Sequence, residues 1–276
     1  MISDAWVDFI AGWASGAATV VALQPVDTLL TRSQAGLVEM NGRSWTVSAR
    51  SMAGTFGAKS LWRGSSPMMS AVPLQNAILM GGYGIGQNYV ERREHKNTRL
   101  MAIFVGGCVG GVFQSFLMSP VELMKVNQQC QLEQSARTVG TNVLRQAFTT
   151  DIWRGLNATL LRDGIPHGVW FLSYEMLKDS LGQKLGEDTA TVPLVAGAGA
   201  ATVAWAVGYP ADLIKTRQQA GSSKLGILAT GKEIIAEANG NVIKGLYRGF
   251  SLKLVRAVPG SMIGFSVYEL VKKQLV

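Results

Sequence analysis

The 276-residue sequence is short of charge: Asp, Glu, Lys and Arg make up only 16% of it, against about a quarter in an ordinary soluble domain. Histidine and cysteine are scarcer still, at two each. Two cysteines exclude a disulfide scaffold, and Cys108 and Cys130 have no metal-ligand spacing and no histidine nearby, so neither zinc nor thiol redox chemistry is indicated. No cofactor is expected. Paired carboxylates in a common frame and a nucleotide loop are both missing, so the chain does not read as an enzyme. The basic residues form no stripe, and the net charge of +8 therefore does not point to nucleic acid. There is also no uninterrupted apolar run of about 20 residues, the mark of a simple membrane anchor. The first apolar stretch lacks a basic leader and a small-residue cleavage site, and is read as part of the fold, not as a removable signal.

Apolar residues are what the sequence has in plenty: 47% are hydrophobic, with 32 glycines besides. That is too apolar for disorder. Six moderately apolar stretches cover roughly 7–30, 67–90, 100–125, 157–178, 190–216 and 250–273, each broken by a proline, a glycine pair or a charge. Polar groups within a membrane span are costly and normally face a bundle interior or a water-filled cavity. Six imperfect spans therefore describe an all-α membrane protein built around an aqueous path.

The sequence repeats itself three times. Gln24-Pro25-Val26-Asp27-Thr28-Leu29-Leu30-Thr31-Arg32-Ser33-Gln34 matches Ser119-Pro120-Val121-Glu122-Leu123-Met124-Lys125-Val126-Asn127-Gln128-Gln129, and both match Tyr209-Pro210-Ala211-Asp212-Leu213-Ile214-Lys215-Thr216-Arg217-Gln218-Gln219. The prolines are 95 and 90 residues apart, and each segment closes an odd-numbered span. A second element precedes each even span: Trp62-Arg63-Gly64, Trp153-Arg154-Gly155 and Tyr247-Arg248-Gly249. A third recurs as Tyr174-Glu175-Met176-Leu177-Lys178 and Tyr268-Glu269-Leu270-Val271-Lys272. Small-residue faces on the odd spans (Gly12 and Gly16, Gly107 and Gly111, Gly197 with Ala201) suit close helix packing.

This pattern resembles the mitochondrial carrier family, whose signature is Pro-x-[Asp/Glu]-x-x-[Lys/Arg]-x-[Lys/Arg] in triplicate. The resemblance covers the whole chain, 1–276, as one transmembrane carrier domain with repeats 1–95, 96–185 and 186–276. It implies six transmembrane helices in three pseudo-symmetric repeats, a barrel-like bundle with short amphipathic helices on the matrix side, in the inner mitochondrial membrane. Residues 225–235 have amphipathic spacing that suits such a helix. A monomer is implied, with a small-molecule substrate and membrane lipid as partners.

Pro25, Pro120 and Pro210 remove a backbone donor within a span and kink it. The family pairs the acid of one repeat with the base of the next, which here puts Asp27 with Lys125 and Glu122 with Lys215 as a matrix gate. Asp212 would reach position 30, which is Leu30, so two ion pairs are expected instead of three. Gln34, Gln129 and Gln219 match the family's glutamine braces. On the cytosolic side the resemblance pairs Glu175 with Lys272 and sets Glu269 against Gln87, leaving Lys178 facing Gly84. The Tyr83-Gly84-Ile85-Gly86-Gln87 run carries neither gate charge, so this gate is expected to be weak and the outward-open state favoured. The aromatic-Arg-Gly elements are where the family holds cardiolipin; an interfacial aromatic belt with snorkelling arginines is compatible with that.

Substrate choice should rest on polar residues midway along the even spans. Arg162 and Asp163 lie there in span four, Arg256 in span six, and Gln75 and Asn76 in span two. Arginine holds a carboxylate by a two-pronged contact and Asp163 would accept an ammonium, so the set suits a zwitterion. An Arg-acid pair at this point looks like the amino-acid and carnitine branches of the family, and the neutral Gln75 disfavours a basic side chain. The competing readings are that Arg162 and Asp163 only satisfy each other, that the cargo is S-adenosylmethionine or another metabolite, or that the chain is a carrier-like scaffold without transport. His167 reads as a hydrogen-bonded packing residue.

Overall fold

In a bilayer every backbone N–H and C=O must be satisfied within the chain, and these apolar, loop-poor stretches can do so only as helices. The computed structural model describes residues 4–38, 45–93, 99–145, 150–185, 191–221 and 225–275. All regular elements among them are helical. Six are long: α1 (Asp4–Gln34), α3 (Ser65–Arg93), α4 (Arg99–Cys130), α6 (Leu156–Leu185), α7 (Thr191–Ala220) and α10 (Phe250–Leu275). Four short ones lie between odd and even spans: α2 (Trp45–Phe56), α5 (Ala136–Arg145), α8 (Ile227–Glu237) and α9 (Val242–Leu246). A 30-residue helix is about 45 Å long, more than the roughly 30 Å of bilayer hydrocarbon.

The part of α1 from Phe9, together with α4, α7 and α10, is long and apolar enough to cross a membrane by composition alone. The less apolar spans are α3, with its glycine run, and α6, with Arg162, Asp163 and His167. The six long helices pack in a closed order, α1–α3–α4–α6–α7–α10 and back to α1. Large apolar side chains such as Phe113, Phe116, Leu161, Ile165 and Leu270 are exposed, as lipid-facing residues must be.

Glycines set how closely neighbours approach. A Cβ on Gly110 would lie 2.5 Å from the Leu79 carbonyl oxygen and one on Gly106 2.8 Å from that of Tyr83, so α3 and α4 meet backbone to backbone. Gly107 and Gly111 approach α6 in the same way. Gly16 meets Val72, whereas Gly12 has open space around it and packs nothing.

The odd spans α1, α4 and α7 touch pairwise, at the end that carries the repeated prolines. Leu29, Leu30, Leu123 and Leu213 are fully buried there. The aromatic-Arg-Gly turns seat this end. Gly64, Gly155 and Gly249 have φ of 79°, 84° and 83°, a left-handed conformation that only glycine takes without strain. Gly64 sits against Lys125 and Gly155 against Gln219 of the next repeat's signature segment, while Gly249 sits against Tyr209 of its own repeat and Leu30 of the first.

Candidate functional site

The periodic acids and bases meet where the odd spans converge. Lys125 Nζ is 2.6 Å from Asp27 Oδ2, and both side chains are nearly buried. Lys215 Nζ bonds Glu122 Oε2, also buried. Gln129 Nε2 donates to Asp27 Oδ2 at 3.1 Å and to Thr28 Oγ1 at 3.1 Å. Gln34 Nε2 donates to Asp212 Oδ2 at 2.9 Å, and its own oxygen accepts from Thr216 at 3.0 Å. Gln219 does not share this arrangement. It donates to the Ser119 and Arg154 carbonyls at 3.3 and 3.4 Å, tying the helix to the turn at Gly155.

The expectation that Asp212 lacks an ion pair is corrected. Lys253 Nζ of α10 lies 2.8 Å from Asp212 Oδ2 and 3.7 Å from the centre of the Trp205 ring. Leu30, where the missing base would stand, is buried among Val26, Met52, Leu61 and Leu252. The threefold repeat does not point to Lys253, because this lysine occurs once. The fourth residue after the turn glycine is Met68, Thr159 and Lys253 in the three repeats, and a lone lysine early in an apolar span was the available signal.

The midplane arginines are also engaged. Arg162 holds Asp163 in a two-pronged contact, Nε to Oδ1 at 2.7 Å and Nη2 to Oδ2 at 2.8 Å. Its Nη1 donates to Glu122 Oε1 at 2.6 Å and lies 3.6 Å from Asp212 Oδ1. Asp163, expected to be open to an ammonium, therefore has both oxygens occupied by its neighbour. Arg256 Nε is 2.8 Å from Asp27 Oδ1, and its side chain is 28% exposed where that of Arg162 is 9% exposed. Each signature acid thus has a cation on an even helix: Arg256 for Asp27, Arg162 for Glu122 and Lys253 for Asp212.

These groups line a cavity of about 190 Å³, together with Gln75, His167 and Trp205. A second cavity, of about 290 Å³, opens beside it and shares Asp27, Lys125, Met68 and Arg256. Asn76 is exposed and lines neither. His167 is fixed by the Asp163 carbonyl at 2.7 Å and by Gln114 at 3.1 Å. Among the described residues the central cavity is lined by four acids (Asp27, Glu122, Asp163, Asp212) and five bases (Lys125, Arg162, Lys215, Lys253, Arg256), leaving one positive charge in excess.

The opposite end is built differently. Glu175, expected to meet Lys272, bonds Arg99 at the start of α4 instead, because α4 and α6 pack side by side there. Lys272 lies 5.6 Å from the centre of its own helix's Tyr268 ring. Gln87, expected opposite Glu269, donates to Glu91 on its own helix at 3.0 Å. The side chain of Glu269 lies outside the described residues. Lys178 is exposed. Aromatic rings also pair there: Tyr83 against Phe171 at 4.5 Å, and Trp170 stacked on Tyr174 at 5.3 Å.

The arginines of the aromatic-Arg-Gly elements act first on the protein. Arg63 donates to the carbonyls of Gln131 and Gln134, and Arg154 to that of Gln219 at 3.2 Å, where a cation offsets the unpaired carbonyls of a helix end. Arg248 lies 3.8 Å from Glu237. Trp62 and Tyr247 donate to the Val21 and Ala206 carbonyls, and Trp153 packs on Phe116. Beside Trp153, Arg154 and Gly155 a cleft of about 470 Å³ reaches Gly226 and Ile227, so the N-termini of α6 and α8 both border it.

The family model for mitochondrial carrier proteins matches this chain three times, over residues 3–94, 96–185 and 186–276. The chain is 31% identical to the mitochondrial arginine transporter BAC2 of Arabidopsis thaliana over 95% of its length and 89% of the relative's. It is 29% identical to mitochondrial ornithine transporter 1 of Saccharomyces cerevisiae, over 98% and 96% of the two chains. It is 28% identical to the human mitochondrial carnitine/acylcarnitine carrier protein, over 97% and 94%. With three matched repeats, six long helices and an ion-paired convergence of the odd spans, the chain belongs to the mitochondrial carrier family, the multi-pass transporters of small molecules in the inner mitochondrial membrane.

Proposed function

We propose that this carrier moves a small zwitterion of the amino-acid or carnitine kind by exchange, with the substrate carboxylate held at Arg256. The single observation that carries this is the charge excess in the cavity. Five cations face four acids, and a carboxylate supplies the missing negative charge, favourably so where water is largely excluded. Arg256 is the more accessible of the two arginines. Arg162 is shared among three acids and positions the site more than it receives cargo. Similar chains named for arginine, ornithine and carnitine transport agree with a solute bearing both a carboxylate and a cation. The neutral Gln75 disfavours a second cation on it.

Alternating access needs the ion pairs of one end to break as those of the other form. If α1, α4 and α7 separate, Asp27 and Glu122 lose Lys125 and Lys215 but keep Arg256 and Arg162. A substrate carboxylate competes for those same arginines, and that couples occupancy to the gate. The cleft at Arg154 and Gly226, bordered by two helix N-termini, is a fitting seat for cardiolipin phosphates on a monomeric carrier.

The test is exchange in proteoliposomes, with wild type and Arg256→Gln loaded with and offered carnitine, acylcarnitine, lysine, arginine, ornithine, glycine, S-adenosylmethionine, ADP and malate. Saturable exchange of a zwitterion, lowered about tenfold or more by Arg256→Gln, is the expected result. Exchange of S-adenosylmethionine alone would move the cargo to that metabolite. ADP or malate exchange would overturn the zwitterion reading. Folded protein that exchanges nothing would be a carrier-like scaffold.

A further inference from the structure

We infer that α10 supplies the ion-pair closure that the first repeat lacks, with Lys253 and Arg256 clamping α7 to α1 through Asp212 and Asp27. The inference rests on the reading of the convergent acids as a gate. In a threefold ring each pair of odd helices is joined by one acid and one base. The α1–α4 seam has Asp27 with Lys125 and the α4–α7 seam has Glu122 with Lys215. The α7–α1 seam has no such pair, because position 30 is Leu30, buried at 2% exposure in an apolar cluster.

What crosses that seam is indirect. Lys253 and Arg256 are three residues apart and therefore on one face of α10. Lys253 Nζ is 2.8 Å from Asp212 of α7, and Arg256 Nε is 2.8 Å from Asp27 of α1. One helix thus holds an acid of each neighbour across the weak seam. Direct hydrogen bonds across it run through the neutral Gln34 of α1, which lies between Asp212 and Thr216 of α7. Lys253 is 5% exposed, and without Asp212 it would be a bare buried cation, which is the costly case. Trp205 covers it at 3.7 Å and adds a cation–π contact. The equivalent positions, Met68 and Thr159, carry no charge, which matches seams that already have their own base.

This seam then opens by a different route from the other two. Separating α1 from α4, or α4 from α7, breaks a bridge between odd helices. Separating α7 from α1 requires α10 to release one of its two acids, so the even helix of the third repeat moves with the gate.

The test measures exchange and the thermal unfolding midpoint of purified, reconstituted protein for Lys253→Met, Asp212→Lys and the swap of Asp212→Lys with Lys253→Asp. Lys125→Met and Lys215→Met serve as references. Lys253→Met should lower both readouts by as much as either reference, and the swap should recover exchange at least about threefold over the poorer single variant. Lys253→Met indistinguishable from wild type, or a swap yielding no more folded, active protein than the singles, would overturn the clamp. If the two references are also silent, the gate reading fails with it; if they are impaired and Lys253→Met is not, only the clamp fails.

Discussion

Arg162 and Arg256 occupy matching places on α6 and α10, seven residues after the turn glycines Gly155 and Gly249, yet they do unequal physical work. Arg162 is bonded to Glu122 and Asp163 and lies 3.6 Å from Asp212, at 9% exposure. Neutralising it leaves three buried carboxylates with one cation fewer, and breaking a buried pair in this way costs about 3–5 kcal/mol. Arg256 has one acid and more access to water, so its loss costs less. Arg162→Gln should therefore lower the unfolding midpoint clearly more than Arg256→Gln, whichever of them transport tolerates better. An equal or reversed order in a thermal melt of the purified variants would mean that Arg162 is not the node the geometry makes it. At this scale the sequence displayed what was periodic. Asp27, Glu122, Lys125 and Lys215 were legible because a threefold pattern repeats them. Lys253 was not, since it breaks the pattern, and neither was the bond between Arg256 and Asp27, which joins the two ends of the chain.

Span two shows a second role for residues noticed first for what they lack. The run from Gly81 to Gly86 lacks the charges of the other even spans, which the resemblance implies is a weak gate. In the structure the same residues let α3 lie against α4, Gly82 facing Gly110 and Gly86 facing Gly106 across the contact. A side chain at Gly110 would drive its Cβ to 2.5 Å from the Leu79 oxygen, a backbone atom that cannot step aside. Gly84, two residues from both Gly82 and Gly86, has nothing within 4 Å. Gly110→Val should destabilise by roughly 1–3 kcal/mol or more through overpacking, while Gly84→Ala should stay within about 0.5 kcal/mol of wild type or gain slightly from helix propensity. Folded yield and unfolding midpoint read both. If Gly84→Ala proved as harmful as Gly110→Val, the glycines would matter for something other than this contact. Spans and their order are visible in composition because lipid imposes it; which face of a glycine-rich helix meets its neighbour depends on tertiary approach, which a single sequence does not carry.

Over the whole molecule, the two ends of the bundle hold their charges in different surroundings. At the convergent end Glu122 is 8% exposed and satisfies Lys215 and Arg162 at once. At the other end Glu175 bonds Arg99, whose side chain is 66% exposed, with Asp179 3.9 Å from the same guanidinium. Water screens the second arrangement and not the first, so an equal change of charge has unequal consequences. Glu122→Gln leaves the buried Lys215 without its acid and takes one of three acids from Arg162, and should cost about 3–5 kcal/mol. Glu175→Gln removes a surface pair and should cost less than about 1 kcal/mol. The same asymmetry bears on salt: raising ionic strength should narrow the small difference between Glu175→Gln and wild type and leave the Glu122→Gln deficit in place. Unfolding midpoints at low and high salt measure both effects. A Glu175→Gln deficit as large as that of Glu122→Gln, and equally insensitive to salt, would mean that the far end also closes through a buried network, with the resting state set by a balance of two gates instead of by the convergent end alone.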